Sequence, residues 1–128
     1  MPTPKLMQAV NQFYSSLVEL LRGNPEPMFK VWSHAEDVTY MGPVGGLLVG
    51  WENIKASWIS QSKTIHEGHV QPQDLHFYEK GDLAVVVGHE DSAIQMDGKL
   101  VKIKLRATSA FRLENGEFKM IAHHTDLF

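Results

Sequence analysis

The sequence contains no cysteine, which removes disulfides, thiolate metal sites and a cysteine nucleophile together. Such a chain suits a reducing compartment. It also has no run of about 18 apolar residues, the length a membrane-spanning helix needs. Met1-Pro2-Thr3-Pro4-Lys5 lacks the apolar stretch of a secretory leader. The expected location is the cytoplasm, with no membrane partner. Charge of one sign is scarce too: 12 Lys and Arg stand against 15 Asp and Glu, a formal charge of −3. No basic cluster is present to displace counterions from a polyanion, so nucleic acid is not expected as a partner. The glycines from Gly42 to Gly50 are not followed by Lys-Ser or Lys-Thr, and His66 and His69 have no partnering carboxylate motif. Neither a metal nor any other cofactor is expected.

What remains is an ordinary globular composition, 43% hydrophobic and 21% charged over 128 residues, enough for one domain with its own core and too little for two. The expected domain is residues 1–128. Leu6, Val10, Phe13, Leu17 and Leu21 fall on one helical stripe between Thr3, a capping residue, and Gly23, a stop. Asn24-Pro25 starts a short helix with Met28, Val31 and Trp32. A brief strand, Val38 to Met41, leads into the loop Gly42-Pro43-Val44-Gly45-Gly46 and a second short strand, Leu47 to Val49. A third helix then carries Trp51, Ile54, Trp58 and Ile59, fading near Ser62 to Thr64.

Beyond it the pattern changes to strands. Lys80-Gly81-Asp82, Asp97-Gly98 and Asn115-Gly116 are turns, the last two strong hairpin signals because glycine accepts positive φ. They separate four strands, His66 to Tyr78, Leu83 to Gln95, Leu100 to Leu113 and Glu117 to Asp126. Strands this long imply a coiled sheet, with Pro72 and Gly88 as natural sites of a bulge or kink. The predicted class is α+β, helices on one face of an antiparallel sheet.

Several segments resemble the nuclear transport factor 2-like superfamily, and within it the SnoaL-like group. They are Met41 to Gly46 through Gly50-Trp51-Glu52-Asn53-Ile54 to Trp58, Arg106-Ala107-Thr108 with Phe111-Arg112, and Gly116 to Asp126. The closing segment is also similar to the association domain of calcium/calmodulin-dependent protein kinase. Phe118 stands where that pattern has tryptophan, and Ala122 where it often has the first of two histidines. The resemblance implies a cystatin-like cone of three N-terminal helices on a strongly curved antiparallel sheet, an internal pocket and a homodimer. It does not imply one reaction.

For chemistry, His124 and Asp126 project from one side of the last strand and could form an acid/base dyad, or a polar rim or subunit contact. His123 lies on the opposite face, so one of the two adjacent histidines at most sees the pocket unless a bulge intervenes, and parity alone does not say which. Arg106 and Thr108 share a face of the preceding strand, opposite roughly residues 123 to 125. Arg106 could hold a carboxylate or an enolate-like oxygen, or form a surface ion pair. Glu90, between His89 and Asp91, could be a base with a raised pKa if it faces an apolar cavity. Tyr14, Trp32, Tyr40, Met41 and Trp58, with Met28 and Trp51, are candidates for the pocket wall, or plain core.

The expected catalytic set is therefore His124, Asp126, Glu90 and Arg106. The expected binding set is Tyr14, Trp32, Tyr40, Met41, Trp58, Thr108 and His123. The expected function is binding of a small, mostly apolar organic molecule, with cofactor-independent acid/base turnover of a carbonyl-bearing substrate. The alternative is a non-catalytic dimerisation or accessory module with a vestigial pocket.

Overall fold

The computed structural model describes residues 2–43, 45–64 and 66–128, so Val44 of the expected loop lies outside the described residues; of His66, Glu67 and Met96 only the backbone is described. Three helices and six strands follow one another among the described residues: α1 (Pro4–Leu21), α2 (Glu26–Val31), β1 (Thr39–Met41), β2 (Leu48–Val49), α3 (Trp51–Thr64), β3 (His66–Lys80), β4 (Leu83–Met96), β5 (Lys99–Glu114) and β6 (Glu117–Leu127). No described helix is long and apolar enough to cross a membrane.

The Thr3 hydroxyl caps α1 by accepting a hydrogen bond from the Leu6 amide at 3.4 Å, with Pro4 in the first turn. That hydroxyl also donates to Glu79 Oε2 at 2.7 Å, which ties the start of the helix to the end of β3. At the other end Gly23 takes φ +91°, and the Asn24 amide reaches back to the Glu19 carbonyl. The helix buries Leu6, Val10, Phe13, Leu20 and Leu21, and α3 buries Trp51, Ile54 and Trp58. The core lies between these stripes and the concave face of the sheet. Trp32 sits at its centre, with ring centroids 6.3 Å from Tyr40 and Trp58 and 6.4 Å from Trp51.

The sheet runs β2-β1-β6-β5-β4-β3. The four long strands form the expected meander. Asp97-Gly98 and Asn115-Gly116 take positive φ at both positions, as a tight hairpin turn requires. The short strands extend the same sheet, β1 lying parallel to β6 with Tyr40 opposite His123 and Met41 opposite His124. That pairing joins segments about eighty residues apart, and no local signal in the sequence announces it.

Two irregularities decide which side chains face inward. In β3 the register shifts between Gln73 and His76, just past Pro72 and opposite Gly88, with Asp74 at φ 53°. A Cβ on Gly88 would lie 2.9 Å from the Gln73 carbonyl oxygen and 2.7 Å from Leu75, so glycine lets the bulge approach. In β6, Ala122 pairs with Ala110 but Met120 pairs with Phe111, which leaves Ile121 as an extra residue. The inward face is therefore even-numbered at Phe118 and Met120 and odd-numbered at His123 and Thr125.

Candidate functional site

Inside the curve, β4 presents Glu90 and β6 presents His123, each about 3% exposed. Their facing atoms, His123 Nε2 and Glu90 Oε2, are 3.5 Å apart. The Tyr14 hydroxyl, from α1, donates to the same Glu90 oxygen at 2.8 Å. On the far side of the imidazole, Ser109 Oγ lies 2.7 Å from His123 Nδ1. The Phe13 ring packs on the imidazole at 4.6 Å, and the Tyr40 ring lies parallel to it at 6.2 Å.

Burial drives both ionisable groups toward neutrality. It pushes the Glu90 carboxyl up to about 7, even though the Tyr14 hydrogen bond pulls the other way. It holds the His123 imidazole down to about 3, with the nearby His124 adding to the effect. The contact therefore reads as a neutral imidazole beside a carboxyl that titrates near neutral pH, despite an ion-pair distance. Burial, then the charge of Glu90, raises the Tyr14 phenol far above its usual range, so it remains a donor. Burial likewise raises Tyr40. With Glu90 ionised, His123 can present Nε2–H to it and accept from Ser109; with Glu90 protonated, the imidazole can turn to its other tautomer. Tyr14, Glu90, His123 and Ser109 thus form one buried polar line, in which Glu90 is the group that gains or loses a proton near neutral pH.

This line borders a cavity of about 140 Å³ walled by Leu17, Leu20, Trp58, Ile103 and Leu105, with Tyr40, Gln61 and Thr125 among its polar edges. The Gln61 amide donates to Tyr40 Oη at 3.3 Å. Among the described residues the buried indole N–H of Trp58 has no acceptor, nor has that of Trp32 behind it. An apolar chamber with one carboxyl near its neutral point, beside polar groups, can bind a small organic molecule and exchange a proton with it.

The expected residues divide between the two sides of the sheet. Glu90, Tyr40, Trp58 and His123 line the cavity, and Tyr14 reaches it through Glu90. Trp32 is closed core, and Met41, half-buried at the β1 edge, is not part of the cavity wall. His124, Asp126, Arg106 and Thr108 lie on the outer, convex face, which corrects the expectation that they share a site with Glu90. The extra residue Ile121 explains the exchange of sides, since it turns His123 inward and His124 outward. It also moves the register by one: residues 106 to 108 face 124 to 126. On that face Arg106 holds Asp126 through two hydrogen bonds, 2.7 and 2.9 Å, with the side chains 65% and 43% exposed. The carboxylate lies below its usual range chiefly because of that bond, so Asp126 is already engaged by Arg106. The outer groove they border, about 450 Å³, also takes in His76, Asp74 and His89.

Sequence reasoning passed over Ser109, Gln61 and Thr125. Ser109 was within reach of a corrected hairpin count from Asn115-Gly116. Gln61 and Thr125 carry no signal in type or spacing. Among the described residues no three His, Asp or Glu side chains converge as a metal site.

A family model described as a SnoaL-like domain matches residues 6–125. No curated protein is a significant match in sequence. Among solved structures the chain is similar to a proposed dehydratase of the nuclear transport factor 2-like family from Streptomyces avermitilis, with TM-score 0.85 and 22% identity over 97% of this chain and 94% of that one. It is similar to a proposed calcium/calmodulin-dependent protein kinase type II association domain from Thiobacillus denitrificans, with TM-score 0.79 and 21% identity over 100% and 97%. It is similar also to a protein with a cystatin-like fold from Caulobacter vibrioides, with TM-score 0.78 and 16% identity over 97% and 87%. At these identities the likeness is one of fold.

Proposed function

The chain belongs to the SnoaL-like domain family, and from that premise we propose that it binds a small, mostly apolar, carbonyl-bearing molecule and acts on it by cofactor-independent acid/base chemistry. The observation that carries this reading is the buried Glu90 carboxyl, held by Tyr14 at 2.8 Å beside His123 and bordering an apolar cavity. Glu90 as carboxylate takes a proton from the carbon next to the carbonyl, and the electron pair released moves onto the carbonyl oxygen. Returning the proton to another carbon isomerises the substrate. Collapse of the enolate with expulsion of a β-hydroxyl, which takes the proton from Glu90 and leaves as water, dehydrates it. Tyr14 is a positioning residue in this scheme, and so is the neutral His123, whose Nε2 faces the carboxylate. The likeness to a proposed dehydratase is in keeping with it. The cysteine-free composition suits a cytoplasmic setting.

Size narrows the substrate. A cavity of about 140 Å³ is close to the roughly 150 Å³ of an engineered cavity that accepts benzene, so the space beside Glu90 suits one ring rather than a polycycle. Small cyclic ketones and aromatic carbonyl compounds should raise the melting temperature of the protein, because a ligand selective for the native state stabilises it. Glu90→Gln, nearly the same shape, should abolish turnover of any substrate so found. Full turnover by a folded Glu90→Gln protein would remove the assignment.

The same small volume favours a second reading, an accessory module whose pocket is vestigial, since ligand sites are commonly about 300 Å³ or more. A homodimer is proposed under either reading. The outer face exposes Leu83, Val85 and Val87 beside the Arg106–Asp126 and His76–Asp74 pairs. Carrying both signs of charge, it can match a second copy turned by a two-fold axis. Sedimentation at micromolar concentration checks this, and a monomer there would refute it.

A further inference from the structure

Beside the Glu90 cavity lies a second hollow, of about 310 Å³, bounded by Leu47, Leu48 and Ser57 under the glycine-rich loop. Tyr40, Pro43 and Gln61 line both spaces, so one layer of side chains divides them. The bond across the divide is weak: Gln61 donates to Tyr40 Oη at 3.3 Å, well beyond the usual N–H···O distance of about 2.9–3.0 Å. Gln61 has another partner ready in Ser57 Oγ, at 3.2 Å, so parting from Tyr40 leaves its amide satisfied. The two spaces differ in chemistry. The inner one contains Glu90 and His123, whereas no charged side chain is among the described residues of the outer one. Leu47, 57% exposed at its rim, is apolar surface that the rest of the fold does not use.

We infer that the two hollows are one binding site divided by the Tyr40–Gln61 pair, and that its ligand is elongated. A single-ring carbonyl head sits beside Glu90, and an uncharged, unbranched apolar tail of several carbons passes Tyr40 to lie against Leu47 and Leu48. This rests on the reading of Glu90 given above and extends it to substrate length, because the inner cavity is too small for anything longer than its head.

The test uses cyclohexanone and its 4-alkyl homologues from methyl to hexyl, whose tails point away from the carbonyl, with affinities measured by calorimetry. Once the tail passes Tyr40, each added methylene should tighten binding about fourfold, the factor for burying one CH₂. Ser57→Phe, which fills the outer hollow from α3, should remove the gain for hexyl relative to cyclohexanone measured in the same variant. Leu47→Trp, at an exposed position, should do the same if the helix substitution disturbs folding. Affinity that stays flat or falls along the series while cyclohexanone still binds would overturn the elongated ligand and leave the Glu90 site standing. A gain with length that survives both variants would place the tail elsewhere and overturn it as well. Failure of every member to bind, cyclohexanone included, would overturn the Glu90 reading and this inference with it.

Discussion

His123 and His124 are neighbours in sequence and opposites in setting. His123 is buried against Phe13, bonded to Ser109 and 3.5 Å from a buried carboxyl, while His124 stands on the outer face beside an Arg106–Asp126 pair already closed on itself. The same contrast runs through the whole sheet. On the concave side the ionisable groups are few, buried and shifted toward neutrality; on the convex side they are more numerous and solvated, with Arg106 and Asp126 paired as ions. Identical residue types thus become candidates for chemistry on one face and for surface complementarity on the other, because removal from water, more than residue type, sets what an ionisable group can do.

The hardest test of that contrast is activity. Glu90→Gln should lower turnover by roughly 10² to 10⁴-fold, the range for losing a general base, whereas Asp126→Asn should leave kcat/KM within about twofold, as remote surface changes do. Equal losses would erase the distinction between the faces. In stability the next largest gap is expected between Trp58→Ala, which empties buried volume and costs about 3–5 kcal/mol, and Leu100→Ala at an exposed position away from the proposed dimer patch, within about 0.5 kcal/mol. Urea denaturation reads both.

A pH series isolates Glu90. Its carboxyl titrates at about 7 in the folded chain against an ordinary 4.5 when unfolded. Below pH 4.5 it is neutral in both states. Between the two values the unfolded chain gives up the proton and the folded chain keeps it, so the stability that Glu90 contributes falls as pH rises, by about 3 kcal/mol in all. Glu90→Gln lacks that slope. Its stability relative to the wild type should therefore improve from pH 4.5 to 7 and then level off. A difference independent of pH would show the carboxyl to be solvated. His123, depressed rather than raised, contributes the opposite slope in both proteins, with stability lost as pH falls from 6.5 toward 3. The smallest effect belongs to Arg106→Ala, which removes an exposed, solvent-screened ion pair and should barely move the urea midpoint, less still at high salt.

The architecture was largely legible because its signals are local. Thr3-Pro4 and Gly23 bracket α1, Asp97-Gly98 and Asn115-Gly116 force their hairpins, and Pro72 with Gly88 mark the bend in β3. The site was legible only in part. Glu90 and His123 are among the candidates, but His124 and Asp126 rank first because they share a side of the last strand, a spacing that does not say which side faces the cavity. The extra residue at Ile121 decides it, turning His123 inward and leaving His124 and Asp126 together outside.

Spacing, caps and turn residues were sufficient to specify three helices, a long-stranded meander and the family resemblance, since each depends on neighbours within a few positions of the chain. Which histidine sees the cavity, what Tyr14 and Ser109 bond to, and how β1 joins β6 depend on segments far apart in sequence meeting in space. Packing decided those, because a side chain's surroundings, and with them its proton affinity, exist only once the sheet has curled around the helices.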